Sequence, residues 1–296
     1  MTAELSEGSL TSETFQELLP LICGRETALN PDRWSRNNPL FGHCAVVSLV
    51  AQSLFGGRLL RASLLDYPEY AYMRSHYINE LPGGEVKDFT EPQFEGRYPK
   101  NLQFEERSRS HVLRKPETAL RFRLLSLRLA KAVTKNPLFD DPIYVRCFLH
   151  ALMSPCQKMR FGAVMTRDNQ IVAEATNDTI EELKALCEPT CIRFGITSRT
   201  ESMLGACGHA EEWVMKVTRD KKIDLKECDL HIVGVKMNGF PWFKTKPEHT
   251  CLRCAVQMNF ADLKSVQMPV VDRWIGITPA EALRTARLYA TGEKKI

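Results

Sequence analysis

Residues 209–211 read His-Ala-Glu, and residues 251–254 read Cys-Leu-Arg-Cys. A Cys-x-x-Cys turn at the start of a helix places two sulfurs on one side, where the helix dipole and a metal both favour thiolates. A histidine from a neighbouring helix supplies a third ligand and leaves the fourth tetrahedral position for water. We therefore expect His209, Cys251 and Cys254 to bind Zn²⁺ as the cofactor.

Glu211 is expected to have a separate, catalytic role. Two residues after the ligand histidine, a carboxylate can lie beside the bound water without being a ligand, take its proton and pass it to a ring nitrogen or a leaving amine. The alternative is a closed, structural zinc site with His249 or Cys207 as a fourth ligand. A structural site has no need of Glu211, so the sequence favours the open, catalytic site.

The order of predicted elements around these motifs extends the pattern to most of the second half. Hydrophobic periodicity predicts helices over 144–153, 209–217 and 279–290 and from residue 251 onward, and strands over 162–166, 171–174, 230–236 and 266–271. The first two of these strands form a hairpin, and strands alternating with helices indicate an α/β layer.

Residues 144–290 resemble the cytidine/deoxycytidylate deaminase superfamily, whose signature is His-x-Glu followed by Cys-x-x-Cys. The resemblance implies an α/β/α sandwich that uses zinc to deaminate a nucleobase, cytosine-type by default, in a nucleoside, a nucleotide or single-stranded nucleic acid. It also implies Asn177, at the end of the hairpin, and Ala210 as substrate contacts. The family usually has proline directly before the first cysteine, where this chain has Thr250.

Other residues of the second half leave alternatives open. Trp242, in a Gly-Phe-Pro-Trp-Phe loop, is a candidate for stacking on a base, whereas the spacing of Trp213 favours the core. The long segment between the hairpin and the His-Ala-Glu motif contains Cys187 and Cys191 at Cys-x-x-x-Cys spacing. These cysteines either pack as thiols or bind a second, structural zinc, which His249 could join.

The first half has a different candidate site. A helix is predicted over 44–54, so Cys44 lies at its N-terminus, where the helix dipole lowers the pKa of a thiol. His76 and Asp88 lie on consecutive predicted strands around a Gly-rich turn. Papain-like and transglutaminase-like folds assemble a nucleophile, a base and an orienting acid in this order, which makes these three residues candidate catalytic groups. Equally open is a buried small Cys44 beside a structural His76–Asp88 pair.

Residues 31–133 also resemble the poorly characterised YunG family. The matching text includes Asp-Arg-Trp-Ser at 32–35, Gly-His-Cys-Ala-Val at 42–46, Ser-His-Tyr-Ile-Asn at 75–79 and Asp-Phe-Thr at 88–90. The resemblance implies a YunG-like domain of unknown role, followed by a basic helix.

That helix is predicted over 117–133. We expect Leu120, Leu124, Leu127 and Val133 on its apolar face and Arg121, Arg128 and Lys131 on the opposite face. A solvated basic face is favoured over a nucleic-acid or phosphate contact. A domain boundary is placed at Asn136-Pro137, which gives a YunG-like domain over 1–136 and a deaminase-like domain over 137–296.

Composition supports these readings and excludes others. The 296 residues include 40 Lys+Arg, 36 Asp+Glu and 10 Cys, and 44% are hydrophobic, which excludes disorder as the main state. The net charge of +4 is too small to indicate nucleic-acid binding. A polar N-terminus and the lack of a long apolar run predict a cytoplasmic protein with reduced thiols and no membrane partner.

The leading expectation is therefore an α/β enzyme of two domains, an α+β papain/transglutaminase-like domain and a cytidine-deaminase-like sandwich, with a nucleobase-containing substrate. A homo-oligomer stays open. The alternative is a zinc-stapled, non-catalytic module that binds a protein or nucleic acid.

Overall fold

The computed structural model describes residues 10–187, 190–196, 207–243 and 250–293. It shows a mixed α/β protein, which confirms the predicted class at this level. The chain divides into two compact units, the first ending at Lys135 and the second beginning at Asn136. No helix of the described residues is both long enough and apolar enough to cross a membrane.

The first unit combines four helices with one antiparallel sheet. Its elements are α1 (Ser12–Ile22), α2 (Cys44–Phe55), β1 (Arg58–Ser63), β2 (Ser75–Glu80), β3 (Val86–Lys87), β4 (Phe104–Arg107), α3 (Arg109–Leu113) and α4 (Pro116–Thr134). The strand order is β3-β2-β1-β4. Helix α2 is buried along most of its length and packs against β2, so the start of α2 and the residues of β2 lie close together.

Helix α4 confirms the predicted helix but not its predicted faces. Leu120, expected on the buried side, is 49% exposed, whereas Arg121, expected in solvent, is only 8% exposed. Val133 is buried as expected, and the other buried apolar residues are Phe122, Leu125, Leu129 and Ala130. Both sets have helical spacing, and packing of α4 against α1 and α2 selects the second. The prediction that Arg121 is solvated is therefore wrong.

The second unit is built around a larger sheet. Its elements are α5 (Pro142–Ala151), β5 (Arg160–Arg167), β6 (Gln170–Thr176), β7 (Asp178–Thr179), β8 (Cys207–Gly208), α6 (Ala210–Asp220), β9 (Cys228–Val235), β10 (Pro241–Trp242), α7 (Leu252–Phe260), β11 (Ser265–Val270), β12 (Arg273–Ile277) and α8 (Pro279–Ala290). The main sheet has the order β12-β11-β9-β5-β6, with β10 paired to β9, and β7 pairs separately with β8.

Helices cover both faces of the main sheet. On one face α5 approaches so closely that a Cβ atom at Gly162 would lie 2.0 Å from the carbonyl oxygen of Cys147. On the other face the next residue of β5, Ala163, joins a core that includes Val214 of α6, Ala255 of α7 and residues of α8. Strands β9 and β11 run parallel because α7 connects them, which brings the starts of α6 and α7 to the same side of the sheet.

Candidate functional site

The three expected metal ligands come together at the starts of two helices. His209 directly precedes α6, and Cys251 directly precedes α7, which also carries Cys254. The Nδ1 atom of His209 lies 3.2 Å from the Sγ of Cys251 and 3.2 Å from the Sγ of Cys254. All three donor atoms lie within 4.8 Å of one another, and no other group of three such donors does so in the described part of the chain. The geometry is that of a metal-binding group of one imidazole and two thiols.

Hydrogen bonding among the three donors shifts their pKa values, so that Cys251 is in the coordinating form whereas His209 and Cys254 release a proton when a metal binds. Hydrogen bonds from Cys254 and His209 outweigh burial and lower the pKa of Cys251 to about 4. The same contact with Cys251 raises the pKa of His209 to about 9, and it raises the pKa of Cys254 well above its ordinary value. Cys251 is therefore a thiolate at neutral pH, which is the form that coordinates metals.

Glu211 belongs to the same candidate site. It is 8% exposed, belongs to the first turn of α6 and lines the cavity next to the three donors. Burial raises the pKa of its carboxyl group, and the positive charge of His209 opposes that shift. A buried carboxyl group beside a metal-binding group can exchange protons with a bound molecule.

Glu212 is a residue of the site that the sequence analysis missed. Its carboxylate accepts a hydrogen bond from the backbone N–H of His209 at 2.8 Å, as in a helix capping box. The same carboxylate pairs with Arg253 of α7 at 2.5 and 2.6 Å and accepts from Gln257 at 2.7 Å. Glu212 thus connects the two helix starts that carry the metal donors. Its position three residues after a helix N-cap was the available signal.

A cavity of about 590 Å³ opens beside the donors. His209, Glu211, Cys251, Asn177 and Trp242 all line it. The structure therefore brings together five of the residues that the sequence analysis singled out.

Ala210 and Thr250 each adjoin a candidate metal ligand along the chain, but only Thr250 lines the cavity. Ala210 is fully buried in the core and is not among the residues that line the cavity. Thr250 lines the cavity, is 7% exposed, and its Oγ1 has no hydrogen-bond partner among the described residues. A buried hydroxyl without a partner is costly, so this atom is available to a bound molecule.

The side chain of Asn177 is already engaged by the protein. Its Oδ1 accepts from the backbone N–H of Phe161 at 2.6 Å, and its Nδ2 donates to the backbone oxygen of Met159 at 3.0 Å. These bonds fix the end of the β5–β6 hairpin at the cavity wall. Trp242 packs edge-on against Phe161 at the same wall, with ring centroids 6.2 Å apart.

Of the two candidates for a fourth protein ligand, the structure describes only Cys207. His249 lies outside the described residues. Cys207 contacts Cys187 and does not belong to the group of three donors.

In the first unit, the structure brings Cys44, His76 and Asp88 together. The Nε2 atom of His76 lies 2.6 Å from Oδ2 of Asp88. The thiol of Cys44 donates to the carbonyl oxygen of Ser75 at 3.8 Å and lies close enough to the imidazole to raise its pKa. His76 is fully buried and Cys44 is 4% exposed. Burial lowers the pKa of His76, but the bonds to Asp88 and Cys44 outweigh it and raise the pKa to about 9.

Two polar residues that the sequence analysis did not place in this site support it. The Nε2 atom of Gln93 lies 3.3 Å from Nδ1 of His76, and its Oε1 atom accepts a hydrogen bond from the backbone N–H of Gly42 at 3.3 Å. Arg121 donates to the carbonyl oxygen of Gly42 at 3.4 Å, and its positive charge interacts with Cys44.

The comparison with known families concerns this first unit. Residues 11–134 match the family model described as YunG protein. The predicted YunG resemblance of the first half is therefore confirmed. The match covers nearly all of the described part of the first unit, from α1 to the end of α4. It does not extend into the second unit. A search of curated proteins finds no match to the chain.

Proposed function

We propose that the second unit is a zinc-dependent hydrolytic deaminase of a nucleobase, cytosine-type by default, carried by a nucleoside, a nucleotide or single-stranded nucleic acid. One observation carries the proposal: a buried glutamate, two residues after the histidine, lines a cavity together with His209 and Cys251, which belong to a compact group of one imidazole and two thiols. The His-x-Glu and Cys-x-x-Cys spacing of a zinc deaminase adds to it.

The donor set fits zinc. Nitrogen and sulfur donors in a Cys₂His group are those that Zn²⁺ prefers, and three protein ligands leave one position open. His209, Cys251 and Cys254 would hold the ion. When bound in such a site, Zn²⁺ supplies a water of lowered pKa and therefore a nucleophile at neutral pH.

The residues of the chain then divide the remaining work. Glu211 would move two protons in turn: the first passes from the attacking water to the ring nitrogen, and the second passes from the new hydroxyl group to the amine that leaves as ammonia. Trp242 and Phe161 offer an aromatic wall against which a flat base can pack. The hydroxyl of Thr250 supplies a hydrogen bond to the base or its sugar, since it has no partner within the described protein.

The test is ammonia release from free bases, nucleosides, nucleotides and single-stranded DNA. Glu211→Gln keeps the shape of the side chain and removes its basic oxygen, so we expect zinc content to be unchanged and turnover to fall by about two to four orders of magnitude. Glu227→Gln is a matched control, because Glu227 is an exposed partner of Arg167. Full activity in Glu211→Gln would reject the proposal. Binding of a partner without any turnover would favour the zinc-stapled binding module.

A second candidate function concerns the first unit, and the hydrogen bond between His76 and Asp88 favours it. We propose that Cys44 is the nucleophile of an acyl-transfer site for an amide, ester or thioester. The Cys44 sulfur attacks the acyl carbon to form a thioester, and the proton held by His76 passes to the leaving group. Water or an amine then releases the acyl group, and the thiol is restored. Asp88 orients the imidazole.

Two cysteines of equal burial provide the test for this site. Cys44 is 4% exposed and Cys23 is 5% exposed, so access is nearly equal, but burial raises the pKa of Cys23. Iodoacetamide at neutral pH should modify Cys44 at least about tenfold faster than Cys23, because the thiolate is the reactive form. His76→Ala should abolish that difference. An unchanged labelling ratio in His76→Ala would remove the case for a nucleophile.

A further inference from the structure

Four cysteines that are not part of the His209 group gather at another part of the cavity wall. Cys156 follows α5, Cys187 ends the 3-10 helix Glu181–Cys187, Cys191 lies four residues later, and Cys207 begins β8. The thiols of Cys191, Cys207 and Cys156 are all close enough to Cys187 to affect its pKa, and Cys156, Cys191 and Cys207 line the same cavity. Each of the ten cysteines is a free thiol in this structure.

Hydrogen bonds that do not involve the thiols hold these segments together. The side chain of Gln157, next to Cys156, donates to the carbonyl oxygen of Cys187 at 2.8 Å and accepts from the N–H of Cys191 at 3.2 Å. Strand pairing places Cys207 opposite Thr179. The convergence of the four residues is therefore a property of the fold and does not depend on any bond between sulfurs.

The charged residues around the four cysteines favour a bound group that carries a net negative charge. Arg160 is 9% exposed, its Nε has no hydrogen-bond partner among the described residues, and the only charge that favours its cationic form is that of Cys156. An isolated buried guanidinium is costly. Four thiolates around a divalent cation carry a net charge of about −2, which would balance Arg160 and its neighbour Lys158.

We propose that Cys156, Cys187, Cys191 and Cys207 bind a second, structural Zn²⁺ as a closed tetrathiolate site. The four thiols lose their protons as the metal binds, and no position is left for water. Sulfurs around tetrahedral zinc lie about 3.8 Å apart, given a Zn–S distance of about 2.3 Å. Because no three of these sulfurs all lie within 4.8 Å of one another in the described structure, metal binding must draw them closer.

The position of this site gives it a consequence for the cavity. Cys156, Cys191 and Cys207 line the cavity that also contains Glu211. A metal that joins Cys156 to Cys187, Cys191 and the start of β8 would fix one wall of the cavity. This consequence rests on the proposed deaminase function, whereas the metal site itself does not.

The experiment is a count of zinc per purified full-length chain by elemental mass spectrometry. We expect about two zinc ions, one of which is lost in Cys187→Ser/Cys207→Ser and the other in Cys251→Ser. Cys228→Ser is the matched control and should keep both, because the Cys228 thiol only donates to the backbone oxygen of Asp224, at 3.2 Å, and serine can do the same. Loss of zinc only in Cys251→Ser would overturn the second site and leave the deaminase site intact.

Cobalt substitution gives a second readout that does not depend on turnover. With both sites filled, six thiolates contribute to the thiolate-to-cobalt charge-transfer band, and two remain in Cys187→Ser/Cys207→Ser, so the band should fall by about two thirds. The wild-type stoichiometry decides the question even if that variant does not fold. One zinc per wild-type chain that is lost in Cys251→Ser, stoichiometric iron, or a disulfide among these four cysteines would each overturn the proposal.

Discussion

The burial of Arg121 illustrates what single residues contribute to the first unit. The sequence analysis placed this arginine in solvent, because charged side chains are rarely buried. In the structure its guanidinium reaches the carbonyl oxygen of Gly42, two residues before Cys44. Its role depends on contacts between segments that are 79 residues apart along the chain, and such contacts leave no local pattern.

His76 makes a pH dependence of stability testable. Its pKa in the folded protein is about 9, above the ordinary value of 6.5. A raised pKa means that the folded state binds the proton more tightly, so this contribution to stability is fully present below about pH 6.5 and is lost as the pH rises through about 9. The shift corresponds to at most about 3 kcal/mol.

The measurement is the free energy of urea unfolding at pH 6 and pH 9.5 for the wild-type protein and for His76→Gln. The decrease between the two pH values should be smaller in the variant by an amount on the order of 1–3 kcal/mol. Identical decreases would show that His76 does not gain a proton-linked interaction on folding.

Among the helices and strands, those with a regular apolar pattern were the ones that the sequence predicted. Helices α2 and α8 and the β5–β6 hairpin lie within two residues of their predicted bounds. Strand β4 was missed because it has no apolar alternation: it pairs with β1 partly through ion pairs, such as Arg61–Glu105 at 3.0 Å. Strand β12 was missed because Val271 has a φ of 55°, a conformation that β-branched residues rarely adopt, in the turn that precedes it.

The contact between α6 and α7 leads to a prediction about metal affinity. Glu212→Gln removes the charge that pairs with Arg253, so the helix starts that carry His209 and Cys251 are held less firmly. Residues that orient metal ligands typically contribute about 10–100-fold to affinity, and we expect a loss of that size in zinc affinity, measured by competition with a chelator. Glu281→Gln is the matched control, since Glu281 occupies the same capping-box position in α8. Equal affinities in the two variants would contradict the prediction.

For the whole molecule, the motif signals and the family match fall on different units. The match ends at residue 134, and the three donors of the metal-binding group lie in the unit that begins at Asn136. Spacing identified the three candidate metal donors, because a metal site needs only a few residue types at short intervals along the chain. Spacing also indicated Cys187 and Cys191 as a possible second zinc pair, but not the approach of Cys156 and Cys207 or the unpartnered Thr250 hydroxyl, since these depend on tertiary packing.

The ion pair between Glu212 and Arg253 also bears on the order of events during folding. It joins residues 41 positions apart, and His209 and Cys251 are 42 apart. Closing a loop of this length has an entropic cost that grows with the logarithm of its length. Since the ion pair and the packing of α6 against α7 already close this loop, the apoprotein reaches the ligand geometry before it encounters the ion. Metal uptake should then be a fast capture by a preformed site, without a slow conformational phase.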